Sequence, residues 1–250
     1  MDLTPFPAAS PFPGEIFYIQ STGSTMELAR ALTEQVPGPK DGTVILAGEQ
    51  TRGRGRLASR TWNAQADRNL LFTFLLAREG LPLPLPVFPL AAGLAVARTL
   101  EGEGLDPKIK WPNDVYLRGR KVCGILCETA GDWLSAGVGL NCNQRDFPPE
   151  LRDKASSLAL LSGREYDRTA LLESFLRELS GVLREETWRE ALEARLLGIG
   201  REVLLMEGTA GNPNPLRGRI TGVGDRGELL FRPEGEEVRG IFAGEILYES

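Results

Sequence analysis

Histidine is absent from the 250-residue sequence. Its absence excludes serine and cysteine hydrolases that use an imidazole base, and it excludes most transition-metal sites, which rely on histidine ligands. Cysteine is scarce as well, because Cys123, Cys127 and Cys142 are an odd number with no second pair at metal-ligand spacing. The sequence therefore predicts neither a disulfide framework nor a zinc site, and it fits a reducing cytoplasm.

Long apolar runs are also missing from the sequence. No segment approaches the roughly 20 apolar residues of a membrane-spanning helix, so we expect a soluble protein without membrane contact. The net charge is −5, whereas a general nucleic-acid-binding surface is normally basic, so we expect no nucleic-acid partner. In an acidic chain, local clusters of cations are the first candidates for a binding site.

The chain divides into three predicted parts. Residues 1–14 carry four prolines and no cluster of positive charge, which predicts a flexible tail and neither a secretory signal nor a transit peptide. Residues 15–196 mix apolar strand-like runs with helical patterns, and after Gly198 the pattern changes to short strands separated by glycines. We therefore expect an α/β domain at 15–196 and a small β-barrel at 197–250.

The first helix is predicted to begin near Ser24, because Ser24 and Glu27 have the spacing of a capping box, and Leu28, Leu32 and Val36 then recur on one face. Glycine-containing turns between the later strand segments suit hairpins. The predicted fold class is thus α/β, or α+β, with a mixed sheet backed by helices. Further elements are predicted as strands at 43–50, 69–77 and in three segments between 108 and 141, and as helices near 90–101, 169–183 and 188–192.

The segment QTRGRGR, from Gln50 to Arg56, joins two predicted core strands. Its alternation of glycine and arginine lets backbone amides approach an anion while guanidinium groups surround it. The same pattern occurs in solvated loops and in RNA-contacting segments, but binders of single strands usually interleave aromatic residues, and the only nearby ring is Trp62. The position between two strands favours an anion-binding loop.

A second group of cations lies in KIKWPND, residues 108–114. Strand alternation puts Lys108 and Lys110 on one face, and Ile109 and Trp111 on the other. A lysine on a strand face is usually solvated. Here the following Pro-Asn-Asp turn restricts the backbone and holds the nearby lysine in place, which suggests a bound anion.

Together these segments resemble a known family. QTRGRGR, KWPNDVYL, RKVCGILCE and GVGLN follow one another in the order and at the spacing of the signature segments of the biotin protein ligases. The resemblance implies that 15–196 is a biotin- and ATP-binding catalytic domain, related in fold to class II aminoacyl-tRNA synthetases, and that 197–250 is an SH3-like barrel. It further implies activation of biotin by ATP, with Mg²⁺ held through the phosphates, to biotinyl-5′-AMP. Biotin would then pass to a lysine of a biotin carboxyl carrier protein.

The resemblance also implies a set of site residues. Ser24, Thr25 and Gln50 would hold the ureido ring of biotin. The other biotin contacts would come from Gly53, Arg54, Gly55, Arg56, Lys110, Gly124 and Gly137. The nucleotide contacts would come from Arg56, Trp62, Lys110, Asn113, Lys121, Gly139 and Asn141. Lys110, Arg54 and Arg56 are the implied catalytic residues.

Two positions depart from the family pattern. The run from Leu57 to Trp62 stands where many relatives have a shorter segment, so the register of Arg60 and Trp62 is open. Met26 replaces the asparagine that commonly follows Ser-Thr, which alters the contacts available to the biotin ring.

The predicted cations suit an adenylation reaction. Joining a carboxylate to the α-phosphate of ATP brings two anions together, and cations in a water-poor pocket offset their repulsion. The carboxylate is already a nucleophile, so this step needs no general base and the lack of histidine is no obstacle. The transfer step does need a proton acceptor, which the sequence does not identify, since Asp114 can equally stabilise its own turn.

Two other functions stay open from the sequence: a lipoate or octanoate ligase or transferase, and a non-catalytic RNA-binding module. About twenty residues precede the predicted first helix, too few for the three-helix DNA-binding domain that some relatives carry. We therefore expect a single-function form. Because relatives often associate through sheet edges, a homodimer is also expected.

Overall fold

The computed structural model describes residues 3–35, 38–56, 61–208 and 214–248, which form two β-sheets and a set of helices. The strands of the larger sheet are β1 (Thr4–Pro5), β2 (Ile16–Thr22), β3 (Val44–Gln50), β4 (Leu70–Ala77), β5 (Pro107–Lys110), β6 (Asp114–Leu117), β7 (Arg120–Ala130) and β8 (Trp133–Leu140). The helices are α1 (Thr25–Thr33), α2 (Phe88–Gly102), α3 (Leu158–Ser162), α4 (Arg168–Val182) and α5 (Trp188–Glu193). The strands of the smaller sheet are β9 (Glu202–Glu207), β10 (Asn214–Val223), β11 (Leu229–Pro233), β12 (Arg239–Ile241) and β13 (Gly244–Leu247).

The larger sheet is mixed, as the sequence predicts. Its strand order is β1-β2-β3-β4-β8-β7-β6-β5. β2 and β3 are parallel and are connected through α1, whereas the other neighbouring strands pair antiparallel. The segment that reads as one strand from Lys108 onward is two strands, β5 and β6, joined by the turn at 111–113. This turn closes the antiparallel hairpin of β5 and β6.

Helices cover both faces of this sheet. On one face α2 and α4 pack on the strands, and the rings of Phe72 and Phe175 meet edge to face at 5.1 Å. On the other face α1 packs through Ala29 against Ile45 and Leu75. β4 is buried on both sides for this reason, which explains why all of its residues except Thr73 are apolar. α1 covers only part of its face, and the remainder carries the cavity described below.

The smaller sheet is antiparallel, with the order β12-β11-β10-β9-β13. Among the described residues no pairing between its outer strands closes it, so closure into an SH3-like barrel stays a prediction. Its apolar residues share a core with α2 and α5, because α2 turns Leu90 and Leu94 toward this sheet and Ala92 and Val96 toward the larger one. A helix that is apolar all round is therefore buried between two sheets.

α1 begins where the sequence predicts, but only half of the predicted capping box forms. Ser24 is the N-cap residue, and its hydroxyl accepts a hydrogen bond from the amide of Met26 at 3.3 Å. Glu27 does not complete a capping box, because its carboxylate pairs with Arg52 at 3.1 Å. Val36, which was assigned to the same helical face, lies outside the described residues.

The interpretation of 1–14 as a flexible tail is wrong for the described residues from 3 onward. β1 pairs with β2 at the edge of the larger sheet. Phe6 packs against the core, and the ring of Phe12 meets Phe74 at 4.8 Å. The backbone amide of Ala9 also donates to Glu173 on α4 at 2.7 Å. Two aromatic anchors therefore fix a segment whose prolines alone indicated a loose one.

Within the described residues, no helix has both the length and the apolar composition needed to cross a membrane.

Candidate functional site

The residues implied as a site converge on one cavity of about 60 Å³ between α1, the loop after β3, and the strands β7 and β8. The implied residues that line it are Ser24, Thr25, Gln50, Arg54, Gly55, Arg56, Trp62, Asn113, Lys121, Gly124, Gly137 and Gly139. The sequence reading missed part of its apolar lining, namely Phe72, Ile125, Leu126 and Val138, and Met26 completes it. Ligand pockets usually measure about 300–1,000 Å³, so a ligand must displace side chains here.

One end of the cavity is organised by a chain of hydrogen bonds. The side-chain oxygen of Gln50 accepts from both the backbone amide and the hydroxyl of Thr25, at 2.8 and 3.0 Å. The hydroxyl of Thr73 on β4 donates to that of Thr25 at 2.8 Å. Because its oxygen is already engaged, Gln50 can offer its amide N–H groups to a ligand carbonyl. Strands β3 and β4 thus pre-position this polar end.

The floor of the cavity is made of strand glycines. Gly124 on β7 lies opposite Gly139 on β8, and the ring of Trp62 rests on the pair. A Cβ atom added at Gly124 would come within 2.8 Å of this ring, and one added at Gly139 within 2.6 Å. The Nε1 of Trp62 is buried with no hydrogen-bond partner among the described residues. The two glycines therefore leave room for the flat ring of Trp62, whose indole Nε1 is a potential donor to a ligand.

A β-bulge puts the principal cation into the cavity. The register of β6 against β7 shifts between Val115 and Tyr116, so that Tyr116 pairs with Lys121 while Asp114 pairs with Gly124. Lys121 and Gly124 are three residues apart, a spacing that would separate them onto opposite faces of a regular strand, yet both line the cavity. Lys121 Nζ lies 2.6 Å from Asp114 Oδ1 and 5.7 Å from the centroid of the Trp62 ring.

Two arginines of the Gly-Arg loop complete the positive lining. Arg54 is 3.5 Å from the carboxylate of Glu128 on β7. Arg56 donates from Nη2 to the backbone carbonyl of Gly244 on β13 at 3.0 Å, which links this loop to the smaller sheet. Both arginines line the cavity and have a described partner there, and both remain exposed to solvent.

Three implied residues lie elsewhere. Lys110 is outside the cavity lining, and its Nζ lies 5.5 Å from the ring centroid of Tyr116 and 5.3 Å from that of Tyr248. Gly53 acts through Trp62, because its carbonyl accepts from the Trp62 amide at 2.9 Å and a Cβ there would lie 2.8 Å from the Trp62 carbonyl. Asn141 follows β8 and donates to the carbonyl of Ser156, while its buried Oδ1 has no hydrogen-bond partner among the described residues.

The cysteines do not contribute a nucleophile to the cavity. Burial raises the pKa of Cys127 and Cys142 to about 12, and it raises the pKa of Cys123 as well. All three are free thiols. The described part of the chain also holds no group of three or more histidine, cysteine or acidic side chains that could bind a metal ion.

This geometry defines a class of protein. Three cations, an amide donor and a glycine floor under a tryptophan ring surround a narrow, partly apolar cavity, which suits an elongated ligand with a polar ring at one end and an anionic group at the other. With no nucleophilic thiol and no histidine, this set of groups suits positioning and charge neutralisation. The fold and cavity thus suit an enzyme that binds an anionic substrate.

Comparison with known proteins identifies the family. The profile of the biotin/lipoate A/B protein ligase family matches residues 18–144. The bifunctional ligase/repressor BirA of Bacillus spizizenii is 31% identical over 253 residues, covering 92% of this chain and 73% of that protein. The biotin–[acetyl-CoA-carboxylase] ligase of Mycobacterium tuberculosis is 36% identical over 199 residues, covering 74% of this chain and 72% of that protein. This chain belongs to the biotin/lipoate A/B protein ligase family.

A solved structure agrees with the fold. The biotin protein ligase of Aquifex aeolicus in complex with biotin and ATP superposes with a TM-score of 0.80 at 32% identity, covering 93% of this chain and 97% of that one. The family resemblance and the mixed-sheet fold predicted from the sequence are thereby confirmed.

Proposed function

We propose that this protein activates biotin with ATP to biotinyl-5′-AMP and transfers the biotin to a lysine of a biotin carboxyl carrier protein. The observation that carries the proposal is the single cavity that joins the Gln50–Thr25 amide site to Lys121, Arg54 and Arg56. Relatives named as biotin ligases cover most of this chain and support the choice of biotin.

The two ends of biotin are assigned to the two ends of this cavity. The ureido carbonyl is assigned to the N–H groups of Gln50, whose oxygen is engaged by Thr25. The carboxylate is assigned to Lys121 near the glycine pair of β7 and β8. The adenine is assigned to the ring of Trp62, with Asn113 alongside, and Asn141 supplies a further nucleotide contact.

Lys121 replaces Lys110 as the main carboxylate and phosphate contact in this assignment. Lys121 lines the cavity, and Asp114 holds its ammonium group in place. For Lys110 to reach the ligand, its side chain would have to leave the two tyrosine rings that flank it. Lys110 therefore stays a secondary candidate for a phosphate contact.

In the first step the biotin carboxylate attacks the α-phosphorus of ATP, and pyrophosphate leaves with the bond electrons. Lys121, Arg54 and Arg56 neutralise the charge that gathers on the phosphoryl oxygens. Holding the two reactants in line accounts for about 7–11 kcal/mol of the barrier. In the second step a neutral carrier lysine amine attacks the mixed anhydride at its carbonyl carbon. AMP leaves with the electrons of the broken carbon–oxygen bond, and the amine proton passes to solvent or to the departing phosphate.

Magnesium fits as an ion carried by the nucleotide. The described residues supply no acidic cluster for a protein-bound metal, so Mg²⁺ would arrive on the ATP phosphates and would screen their charge. The reducing cytoplasm is the proposed place of action, supported by three free cysteines and the need for ATP. The homodimer also stays a proposal, supported by residues 126–130 of β7, which pair with β8 and with no other described strand.

The decisive experiment is incubation of the protein with ATP, Mg²⁺, labelled biotin and a carrier domain. We expect label on the carrier lysine, and none when that lysine is replaced by arginine. Omitting the carrier should leave labelled biotinyl-adenylate in the protein-bound fraction. Failure to form adenylate would contradict the proposal.

The same assay separates the two alternatives. Substituting lipoate or octanoate for biotin should give at least 100-fold less adenylate, because those acids lack the ureido group that Gln50 would bind. Preferential use of either acid would transfer the protein to the lipoate branch of its family. The RNA-binding alternative has less support, since Arg54 and Arg56 line a cavity and Arg52 pairs with Glu27.

A further inference from the structure

The cavity floor continues beyond the proposed ligand. On one face of β7 and β8, paired residues follow one another as Gly124 with Gly139, Leu126 with Gly137, Glu128 with Ser135, and Ala130 with Trp133. The first two pairs line the ligand cavity. The last two line a second, wider hollow of about 490 Å³ against α1, which we call the α1 hollow. Both spaces thus lie along the same strip of the sheet.

Met26 is the residue that the two spaces share on α1, and it lies where they meet. Its side chain is buried, with 6% exposed, and it presses on Gly137. A Cβ atom added at Gly137 would come within 2.9 Å of Met26 Sδ and 3.1 Å of its Cγ. The methionine side chain therefore fills the gap that the glycine leaves, directly beside Thr25.

We propose that Met26 is the specificity-determining wall of the ligand cavity, and that shortening it opens a path from the ring end of bound biotin into the α1 hollow. This inference rests on the proposed function for the identity of the ring, because Thr25 and Gln50 next to Met26 are the assigned ring contacts. The substrates admitted would be biotin derivatives with a short substituent on the ureido ring.

The charge of the α1 hollow selects among such substituents. Glu34, Glu128 and Asp132 contribute three carboxylates to this hollow. Glu34 lies 3.6 Å from Arg30 and Glu128 lies 3.5 Å from Arg54, so the carboxylate of Asp132 leaves the hollow with a net negative charge. An aminoalkyl substituent should therefore be accepted in preference to a carboxyalkyl substituent of equal length.

The test compares Met26→Ala with wild type and Met26→Leu in pyrophosphate release, using biotin and biotin carrying a short aminoalkyl chain on the ureido ring. We expect Met26→Ala to raise the ratio of kcat/KM for the substituted compound over biotin by at least tenfold. Adding or removing one methylene group in an apolar pocket changes substrate discrimination by about that factor. Met26→Leu should keep the wild-type ratio. Leu28→Ala is the matched control on α1, because Leu28 is partly buried but lines neither space. If Met26→Ala still uses biotin but its ratio stays within twofold of wild type, the inference about Met26 is overturned and the proposed function is not.

A second measurement tests the wall without any ligand. Gly137→Ala should lower the Tm by about 2–4 °C through overpacking against Met26. In the Met26→Ala background the same change should cost less than half as much, because the atoms it would strike are gone. Additive losses in the double variant would overturn the Met26–Gly137 contact, whether or not the protein uses biotin.

Discussion

One ion pair determines where the positive charge of the cavity lies. Lys121 and Asp114 are 29% and 20% exposed, so water screens them less than a surface pair. The carboxylate fixes the ammonium group beside the Trp62 ring, which lowers the entropy lost when an anion binds. We therefore expect Asp114 to act on the reaction through Lys121, as a positioning residue.

Replacing this lysine should remove the main carboxylate contact. We expect Lys121→Met, made together with Asp114→Asn so that no carboxylate is left unpaired, to reduce kcat/KM for biotin adenylation by about 10²–10³-fold. Lys110→Met is the matched comparison, and its loss should be at least tenfold smaller. Steady-state pyrophosphate release checks both, and thermal unfolding confirms that each variant is folded. A larger loss at Lys110 would return the principal role to that residue.

At the residue scale, the sequence identified the side chains of the site more readily than their positions in space. Ser24, Thr25 and Gln50 are read from short motifs, and the structure brings them together at the cavity. Lys121 was also implied by a family motif, but strand alternation alone does not bring it to the cavity, because its position depends on a bulge in the pairing of β6 with β7.

At the scale of elements, ion pairs fasten the core helix α2 to the chain that follows α4. Arg98 makes a bidentate salt bridge with Glu185, in which Nη1 and Nη2 donate to the two carboxylate oxygens at 2.6 and 2.9 Å. Hydrogen bonding from Arg98 holds the pKa of the Glu185 carboxyl below its ordinary value. Arg195 makes a similar contact with Glu101, so both ends of this connection are tied to α2.

Glu185→Gln should therefore destabilise the protein in a pH-dependent manner. Because the folded-state pKa is lowered, the carboxylate stabilises the fold fully above its unfolded pKa of about 4.3, and this contribution is lost as pH falls through the folded value. We expect a loss of about 1 kcal/mol at pH 7 that shrinks below pH 4, measured by urea unfolding. Glu34→Gln, in an exposed pair with Arg30, is the control and should change little. An undiminished difference at pH 3 would argue against this account.

The helices and strands were largely predictable, because the buried face of each element repeats apolar residues at the spacing of a helix or a strand. β4 and α2 follow from their apolar patterns. The prediction for the amino-terminal segment was wrong for a physical reason. Its proline content indicates only local conformation, whereas Phe12 is fixed by a tertiary contact with Phe74 that no local pattern reveals.

At the scale of the whole molecule, the two sheets are joined through Trp111. Its indole Nε1 donates to the carbonyl of Gly227 at 3.0 Å, and its ring lies in the core shared with the smaller sheet. Gly227 has a φ of 80°, and a Cβ there would come within 2.9 Å of the Pro86 carbonyl, so this turn favours glycine.

Trp111→Phe should weaken the whole molecule and not the smaller sheet alone. It removes the indole donor, leaves the Gly227 carbonyl without that hydrogen bond and leaves space in the core, at a cost of about 2 kcal/mol. We expect calorimetry to show one transition in both proteins, shifted to lower temperature in the variant. Two separated transitions would mean that the sheets unfold independently.

The change of pattern after Gly198 coincides with the start of the smaller sheet, since β9 begins at Glu202. The core shared by the two sheets could not be predicted, because the apolar residues of α2 do not indicate which of the two sheets each of them contacts. The match between Trp111 and a glycine turn 116 residues away is likewise invisible locally.

The outer rims of the larger sheet are both blocked. β1 ends one rim with two residues, one of them a proline without an N–H, and Ile109 on β5 is bonded to the carbonyl of Arg195 and the amide of Leu197 at the other. The two rims of the larger sheet therefore offer little backbone for pairing with another copy. The open stretch at 126–130 lies inside the sheet beside β6, and a twofold pairing of that stretch with its own copy would consume both openings and stop at two molecules.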